Sequence, residues 1–508
     1  MAARKYLLAI DAGSSGCRAL IFDTAGSTVS SASCRWTYDS PAEVAPLGKE
    51  FNPQAFWDAV CRVIRQSVIE AGISPSDIVA LSSASQREGL VFLDRDGNEL
   101  YGGPNTDLRA VMEGLSIDAE RGDELRRITG HSPSFLFAPA KLQWFKTNRP
   151  EVYSRIATIL TINNWILYRL SGECVAEPSS DSDTGLVDIA ASCWSSRLRE
   201  AFGLGEGVCP AMHSAGSVVG TVTEGAASQT GLAPGTLAVV GGADTQCGLL
   251  GMGVVSQGQV GVVAGWSATV QMVTDEPIVD SSGRIWSSCH VVPRKWILES
   301  NAAEAGGAYA WLGRCLFGGA DPEQDTYAVM DRLASEAPAG SAGIVAFVGP
   351  RAMDMTRLKP LLGGIFFPIT PSVTGVERKH IIRAVLENLS FAIKANCQQL
   401  RETSGLNVAS LSVGGGLARS HILGHILADA MAMPVRYYRE AEVTSLGAAM
   451  CAAVGAGVYP DLVKASGAMC PSPELVSPDP DRAEQYTAYY SKWVKFAKRL
   501  DSLGEEMI

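Results

Sequence analysis

Hydrophobic and polar positions near the start of the chain predict a sheet built from hairpins. Apolar residues fill 6–10, a polar segment follows over 11–18, and a second apolar run covers 19–22. Gly26 marks another turn before a third short strand over 29–33. Apolar runs separated by Gly- and Ser-containing turns are typical of an antiparallel meander. We therefore expect three strands, with the polar residues at the first turn.

A second apolar run, near the middle of the chain, leads to an isolated carboxylate. Val239 and Val240 precede the pair Gly241-Gly242, and Asp244 follows at the start of a small-residue segment. Glycine permits unusual backbone angles and close approach of another chain segment or a ligand. A carboxylate held between apolar stretches is suited to act as a general base. Alternatively, Asp244 caps the helix that follows it, and this segment alone leaves both interpretations open.

A third strand-to-turn segment, 411–420, carries three consecutive glycines. Gly414, Gly415 and Gly416 follow an apolar strand, and an amphipathic helix is predicted from Ser420 to Met431. Glycines at such a turn let backbone amides face phosphate groups, and a helix N-terminus adds a favourable dipole. The segment lacks the GxxxxGK[ST] pattern of a P-loop, so a nucleotide would be held in a different way.

Two long helices are predicted in the second half of the chain. Residues 379–403 place apolar side chains at three- and four-residue spacing, which indicates one face packed in a core. Residues 482–500 place Tyr486, Tyr490 and Trp493 on one face. Such an aromatic stripe is expected to pack on its own domain, and a homodimer contact is the alternative.

Composition and charge narrow the class of protein. A chain of 508 residues that is 46% hydrophobic and 19% charged predicts more than one packed domain. The net charge of -11 argues against a nucleic acid or an anionic membrane as partner. The twelve cysteines form no C-x-x-C pair, which favours reduced thiols in a cytoplasmic protein. Neither a signal peptide nor a membrane-spanning segment is predicted.

The first turn has the residue types of a phosphate-binding loop. Backbone amides around Gly13 can surround phosphate oxygens, Ser14 and Ser15 add hydroxyl donors, and Arg18 adds positive charge. Asp11, at the end of the first strand, is a candidate magnesium ligand. An ordinary hairpin containing Gly and Ser remains the alternative.

Taken together, Asp11-x-Gly-Ser-Ser-x-x-Arg18 and Gly-Gly-Ala-Asp244 resemble the FGGY family of carbohydrate kinases, and the resemblance extends roughly from Tyr6 to Pro460. It implies an α/β fold of two ribonuclease-H-like domains, as in actin, hexokinase and the Hsp70 ATPase, with ATP and sugar in an interdomain cleft. It also implies a sugar-binding and catalytic domain over 1–252 and a nucleotide-binding domain over 253–460. Residues 461–508 are then a linker and a C-terminal helix packed on the second domain.

The resemblance assigns the sugar pocket to Arg87, Glu88 and Asp107, together with Asp244 and Gln246. Surface ion pairs are the alternative for the charged members of this set. Within the family, the segments 85–89 and 105–109 are most similar to those of autoinducer-2 kinases. The Arg-Glu pair is also similar to glycerol kinase, and a xylulose-like substrate stays open.

The second domain should open with a strand pair around Gly265-Trp266-Ser267. The family usually has Gly-Thr-Ser at this point, with the threonine near the terminal phosphate. The resemblance therefore makes Gly265 and Ser267 nucleotide contacts, and Trp266 is a departure from the family pattern.

The implied activity is ATP-dependent phosphorylation of a hydroxyl on a small sugar, ketose or polyol. Asp244 would accept the proton, and Mg²⁺ would be held with the help of Asp11 and Asp244. The turn at Ser14 and the glycines at 414–416 would surround the nucleotide phosphates, and Ser420 would add a further nucleotide contact. Two alternatives are a non-metabolic ATPase of the same fold and a sugar sensor without catalysis.

Overall fold

The computed structural model describes residues 5–318, 324–357, 361–368, 370, 375–439 and 442–506. The chain divides into two compact units. The first comprises Met1–Val255, Thr274–Ile297 and Glu442–Pro471, and the second comprises Ser256–Val273, Leu298–Ala441 and Ser472–Ile508. Among the helices of the described residues, none combines the length and the hydrophobicity that a membrane-spanning segment needs.

The strands alternate with helices along most of the chain. The strands are β1 (Tyr6–Gly13), β2 (Gly16–Asp23), β3 (Thr28–Arg35), β4 (Ile78–Ser85), β5 (Leu90–Leu93), β6 (Glu99–Gly103), β7 (Thr158–Thr161), β8 (Val175–Ala176), β9 (Val187–Asp188), β10 (Cys193–Trp194), β11 (Ala211–Met212), β12 (Val218–Thr221), β13 (Leu237–Ala243), β14 (Gln259–Ala264), β15 (Ser267–Thr274), β16 (Trp286–Cys289), β17 (Trp296–Glu304), β18 (Val345–Phe347), β19 (Gly364–Phe366), β20 (Ser410–Gly414), β21 (Val435–Tyr437) and β22 (Glu474–Val476). The α-helices are α1 (Pro53–Ala71), α2 (Val111–Thr129), α3 (Ala138–Asn148), α4 (Pro150–Tyr153), α5 (Ile162–Ser171), α6 (Pro178–Asp181), α7 (Ser196–Ala201), α8 (Glu224–Thr230), α9 (Asp244–Gly251), α10 (Gly306–Phe317), α11 (Gln324–Glu336), α12 (Arg378–Ser404), α13 (His421–Met431), α14 (Val443–Gly455), α15 (Leu462–Met469) and α16 (Pro480–Glu506).

A six-stranded sheet organises the first unit, in the order β12-β13-β4-β1-β2-β3. Strands β1, β2 and β3 pair antiparallel, so the predicted meander is confirmed. Strand β4 runs parallel to both β1 and β13. Nearly every residue of these three parallel strands is buried, because helices cover both faces of the sheet.

The chain returns to the first unit near its C-terminal end, which differs from the contiguous division at 252 and 460 expected from the sequence. Helix α14 packs against α9, and both contribute to the core on one face of the sheet. A Cβ atom on Gly447 would lie 1.9 Å from the carbonyl oxygen of Cys247, so only glycine permits this approach. The tight contact explains why 442–471 belongs with the first unit.

The second unit contains a sheet in which β17, β15, β14, β20, β21 and β22 are successive neighbours. Helix α12 covers residues Arg378–Ser404, which confirms the long helix predicted over 379–403. On α16, the side chains of Tyr486, Tyr490 and Trp493 are buried. Trp493 stacks on Phe347, and the Tyr486 hydroxyl donates to Glu387 at 2.8 Å. The aromatic stripe is therefore part of the core of its own unit.

Candidate active site

Three parallel strands of the first unit end side by side and bring the predicted acidic residues together. Ala12 of β1 lies opposite Ser85 of β4, and Ser85 lies opposite Ala243 of β13. With neighbouring strands about 4.8 Å apart, Ala12 and Ala243 are separated by roughly 10 Å. Asp11 and Asp244, each adjacent to one of these residues in sequence, consequently share one edge of the sheet.

Asp244 is the first residue of α9, and its carboxylate is largely removed from solvent. The N-cap position belongs to Ala243 and has no side-chain cap, so the alternative in which Asp244 serves as the cap is wrong. Burial raises the pKa of Asp244 to about 7, the nearby Arg87 guanidinium lowers it, and the carboxylates of Asp11 and Asp183 raise it. A carboxyl group with a pKa near neutrality can accept a proton under physiological conditions.

Asp11 also has a raised pKa. Burial raises the pKa of its carboxyl group to about 6, the charge of Arg18 opposes the shift, and Glu442 adds to it. Arg18 itself is exposed and forms an ion pair with Glu442. Burial therefore disfavours the anionic form of both carboxyl groups. A cation bound between them would stabilise that form.

The raised pKa of Asp244 predicts a stability that falls as the pH rises. Because the folded state holds this proton more tightly than the unfolded state, the stabilisation is complete below about pH 4 and lost as the pH rises through about 7. Asp244→Asn should therefore stabilise the unliganded protein at pH 8, by about 1–2 kcal/mol after allowance for partial solvent exposure, and have little effect at pH 5. Thermal melts at the two pH values measure the difference.

Asp94 provides a control of opposite sign for this prediction. Backbone hydrogen bonding from Asn98 and the Arg155 side chain lower the pKa of Asp94 to about 2. Asp94→Asn should therefore leave the melting temperature unchanged or lower at pH 8. An equal effect of Asp244→Asn at both pH values would contradict the raised pKa.

Arg87 follows β4 and lies within a buried polar cluster. Its Nη1 atom is 4.0 Å from Oδ1 of Asp183, and its guanidinium lies 5.9 Å from the ring centre of Trp286. His131 lies beside the same carboxylate and the same indole ring. Asp183, His131 and Trp286 were not predicted as site residues. The acidic and hydroxyl-rich stretch 177–184 is a sequence signal for Asp183.

Glu88 occupies an unusual backbone conformation that a buried lysine supports. Its φ angle is 57°, in the left-handed region that non-glycine residues seldom adopt. Lys141, fully buried on α3, donates hydrogen bonds to the carbonyl oxygens of Glu88 at 3.2 Å and Leu136 at 3.0 Å. Lys141 thus fixes the turn that carries Arg87 and Glu88.

We expect Lys141→Met to destabilise the protein by about 1–3 kcal/mol, because it leaves two buried carbonyl groups without their donor. Burial lowers the pKa of Lys141, so the loss of a buried charge offsets part of this effect. Lys146→Met is the matched control, since Lys146 is exposed on the same helix. Equal melting temperatures for the two variants would show that Lys141 does not support the turn.

Asp107, predicted as a sugar contact, has its carboxylate engaged inside the protein. Its side chain is 0% exposed, and its carboxylate accepts from Lys49 N at 2.8 Å, from Arg109 Nε at 2.8 Å and from the Tyr101 hydroxyl. Arg109 also bonds Glu50 at 2.7 Å. For Asp107 and Arg109 the alternative of a surface ion pair is wrong, because both side chains are buried. Asp107 therefore organises a buried network around Arg109.

Gln246 and the first hairpin complete the predicted residues of the first unit. Gln246 is buried on α9, where its Oε1 accepts from the Thr245 hydroxyl at 2.6 Å and its Nε2 has no hydrogen-bond partner within the described residues. Gly13 pairs with Gly16 across the hairpin, which places Ser14 and Ser15 at its tip. Asn105 donates to the Ser14 hydroxyl at 3.0 Å. The hairpin tip thus lies close to the 105–109 segment.

The second unit has a glycine-rich site of its own. Parallel pairing places Val263 of β14 opposite Gly414 of β20, so the turn at Gly265 and the turn at Gly415 leave the sheet at the same edge. Gly415 has a φ angle of 96°, and a Cβ atom there would lie 2.8 Å from the carbonyl oxygen of Ala264. Gly265 N donates to Ser267 O at 2.9 Å. These predicted nucleotide contacts, with Gly416, form one cluster of backbone turns.

The Ser420 hydroxyl, predicted as a nucleotide contact, is engaged by partners within the second unit. A 3₁₀ turn over Gly416–Arg419 separates the glycines from α13. The Ser420 hydroxyl caps the helix by accepting from Leu423 N at 3.2 Å and donates to Asp331. Asp331 also accepts from His421 N at 3.2 Å. Because this carboxylate occupies the helix N-terminus, the dipole of α13 is already matched by a negative charge.

Comparison with known proteins identifies the class. The model of the FGGY family of carbohydrate kinases, N-terminal domain, matches residues 6–251, and that of its C-terminal domain matches 260–456. An autoinducer-2 kinase from Enterobacter sp. (strain 638) is 32% identical over 513 residues, covering 98% of this chain and 95% of the relative.

Two solved structures are similar over almost their whole length. A gluconate kinase from Lactobacillus acidophilus has a TM-score of 0.86 at 20% identity, covering 99% of this chain and 100% of its own. A xylulose kinase from Rhodospirillum rubrum has a TM-score of 0.84 at 25% identity, with the same coverage.

The chain belongs to the FGGY family of carbohydrate kinases. Its fold is that of the actin, hexokinase and Hsp70 ATPase class, as the resemblance predicted. It is an ATP-dependent kinase that transfers phosphate to a sugar hydroxyl group.

Proposed function

We propose that this kinase phosphorylates a small polyhydroxylated sugar bound in the first unit, with autoinducer-2 as the first candidate and xylulose as the second. The observation that carries the proposal is the meeting of Asp11, Arg87 and Asp244 at one edge of the first sheet. A general base, a cation and a metal-binding carboxylate are the groups that phosphoryl transfer to an alcohol requires. The similarity to an autoinducer-2 kinase supports the substrate candidate.

In the proposed reaction, a sugar hydroxyl oxygen attacks the terminal phosphorus of ATP. The new O–P bond forms as the bond from that phosphorus to the bridging oxygen of ADP breaks. Asp244 accepts the hydroxyl proton, for which its raised pKa is suited. Arg87 and Glu88 orient the sugar, and Gln246 offers an amide donor from α9.

Magnesium fits the donor set of the first unit. Asp11 and Asp244 supply carboxylate oxygens, and Mg²⁺ in kinases is commonly held by one or two carboxylates together with phosphates and water. Within the described residues no cluster of three or more His, Cys, Asp or Glu side chains suggests a different metal centre. Bound with the nucleotide, the ion would neutralise phosphate charge.

Each unit, taken by itself, offers backbone turns that we propose as phosphate-binding elements. In the first unit these are Gly13, Ser14 and Ser15 of the hairpin, with Arg18 nearby. In the second unit they are Gly265 and Ser267 together with the 414–416 turn. Trp266 lies between β14 and β15 in the chain, and its side chain is 62% exposed. It stands at the position where the family usually has threonine.

Release of ADP across a panel of sugars tests the proposal. The purified protein is incubated with ATP and Mg²⁺, and with autoinducer-2, xylulose, glycerol, gluconate or no acceptor. We expect release that depends on the acceptor and is abolished by chelation of Mg²⁺. Equal release without any sugar would favour a non-metabolic ATPase, and none under any condition would favour a sensor.

A further inference from the structure

Asp183 is a buried carboxylate whose hydrogen-bonding capacity is unused. Its side chain is 0% exposed, and neither Oδ1 nor Oδ2 accepts a hydrogen bond within the described part of the chain. His131 Nε2 lies 2.9 Å from Oδ1, but that nitrogen is also 3.1 Å from the Ser288 hydroxyl. Buried carboxylates normally accept several hydrogen bonds, so this one is arranged for a donor that is not part of the protein.

The neighbours of Asp183 show which donor would reach it. Arg87 lies 4.0 Å away, and the Asp183 charge acts on Asp244. The carboxylate therefore belongs to the same cluster as the proposed base and the proposed sugar-orienting arginine. The ring of Trp286 contacts both Arg87 and His131 and supplies an apolar surface to the cluster. An acceptor molecule placed beside Asp244 and Arg87 would bring its hydroxyl groups within range of Asp183.

We propose that Asp183 is a specificity-determining residue that accepts hydrogen bonds from hydroxyl groups of a neutral sugar and disfavours sugar acids. The proposal rests on the proposed function, because it names the substrate class of the same site. A carboxylate offers only acceptor positions, and hydroxyl groups supply the donors that it lacks. A substrate carboxylate would instead place a third negative charge beside Asp183 and Asp244, with Arg87 as the shared counterion.

A purely structural role for Asp183 makes a different prediction. If the Asp183 charge stabilised the fold, neutralising it would lower the free energy of unfolding. If the charge is retained for binding, neutralising it leaves the free energy of unfolding unchanged or raises it. Asp183→Asn keeps the shape of the side chain, removes the charge and replaces one acceptor oxygen by an amide donor. We therefore expect a melting temperature equal to or above that of the wild type, together with altered substrate selection.

The experiment compares wild type, Asp183→Asn and the matched control Asp188→Asn. Asp188 lies five residues away, where its carboxylate accepts from the backbone amides of Ala190 and Ala191. Steady-state kinetics are measured with xylulose and with gluconate, and binding of each without ATP is measured by calorimetry. For Asp183→Asn we expect the KM and Kd for the neutral sugar to rise about tenfold, with kcat changed less than about threefold. The preference for xylulose over gluconate in kcat/KM should narrow by about tenfold or more.

Each outcome decides the proposal. Unchanged KM, Kd and preference in a stable Asp183→Asn variant would overturn it, as would a wild type that phosphorylates gluconate as well as xylulose. The second result would leave the proposed kinase function standing. Sugar-independent ADP release by the wild type would instead overturn the proposed function and this inference together. Should Asp183→Asn not fold, His131→Gln tests the same contact, because loss of the imidazole beside Oδ1 should change KM for the neutral sugar without changing ATP binding.

Discussion

Asp244→Asn is expected to lower kcat by roughly 10²- to 10⁴-fold, the usual contribution of a positioned general base. Asparagine keeps the shape of the side chain but cannot accept the hydroxyl proton. The hydrogen bond from Thr245 N to the side-chain oxygen, 2.7 Å long, can be retained by the amide oxygen. We therefore expect the Kd values for sugar and for ATP to stay within about threefold of the wild type, because the change affects the transition state more than the ground state.

Steady-state kinetics with separate binding measurements test this prediction. In the wild type, kcat/KM should fall as the pH drops below about 7, since the base must be deprotonated. In Asp244→Asn the residual rate should lose that dependence. Asp11→Asn is the comparison variant, and we expect it to raise the Mg²⁺ concentration needed for half-maximal rate. Near-normal turnover of Asp244→Asn would remove the base assignment.

The positions of Asp11 and Asp244 could be predicted from sequence because local signals mark the ends of strands. An apolar run followed by glycine identifies where β1 and β13 stop, and parallel strands present their ends at one edge of a sheet. The glycine turns of the second unit were predictable for the same reason. The long helix α12 was predictable from its apolar periodicity alone.

The roles of individual polar residues could not be predicted, because their partners lie far away in sequence. Ser420 carries the residue type of a phosphate ligand, but Asp331, on α11, engages its hydroxyl. No local pattern marks Lys141, and only the fold brings its amine to the carbonyl of Glu88. Likewise, the return of 442–471 to the first unit depends on the contact of Gly447 with the backbone of Cys247, which no local pattern encodes.

Asp107 and Asp183 show how much depends on such partners. Both aspartates are buried, and each follows a stretch of small or hydroxyl-bearing residues. Asp107 accepts hydrogen bonds from several donors, whereas neither carboxylate oxygen of Asp183 accepts one among the described residues, although His131 and Arg87 lie beside it. The first was predicted as a sugar contact, and the second was given no role. The hydrogen-bond geometry favours the reverse order, in which the fully satisfied carboxylate is structural and the unsatisfied one is proposed to accept from a ligand.

This reversal predicts that Asp107→Asn destabilises the protein by about 3–5 kcal/mol, as expected when one member of a buried ion-pair network is neutralised. The Arg109 guanidinium, which lies 4.8 Å from the ring centre of Tyr101, would keep only Glu50 as its carboxylate partner. One side-chain oxygen would also be replaced by an amide nitrogen facing donors.

Thermal melting of Asp107→Asn beside Asp183→Asn provides a matched measurement, since both variants neutralise one buried aspartate of the same unit. We expect a large fall in melting temperature for Asp107→Asn and none for Asp183→Asn. At a temperature where both variants are folded, the KM for the sugar should rise in Asp183→Asn and stay near the wild-type value in Asp107→Asn. A raised KM in Asp107→Asn without a fall in melting temperature would mean that Asp107 contacts the sugar. Such a substitution would weaken sugar binding while leaving the fold intact.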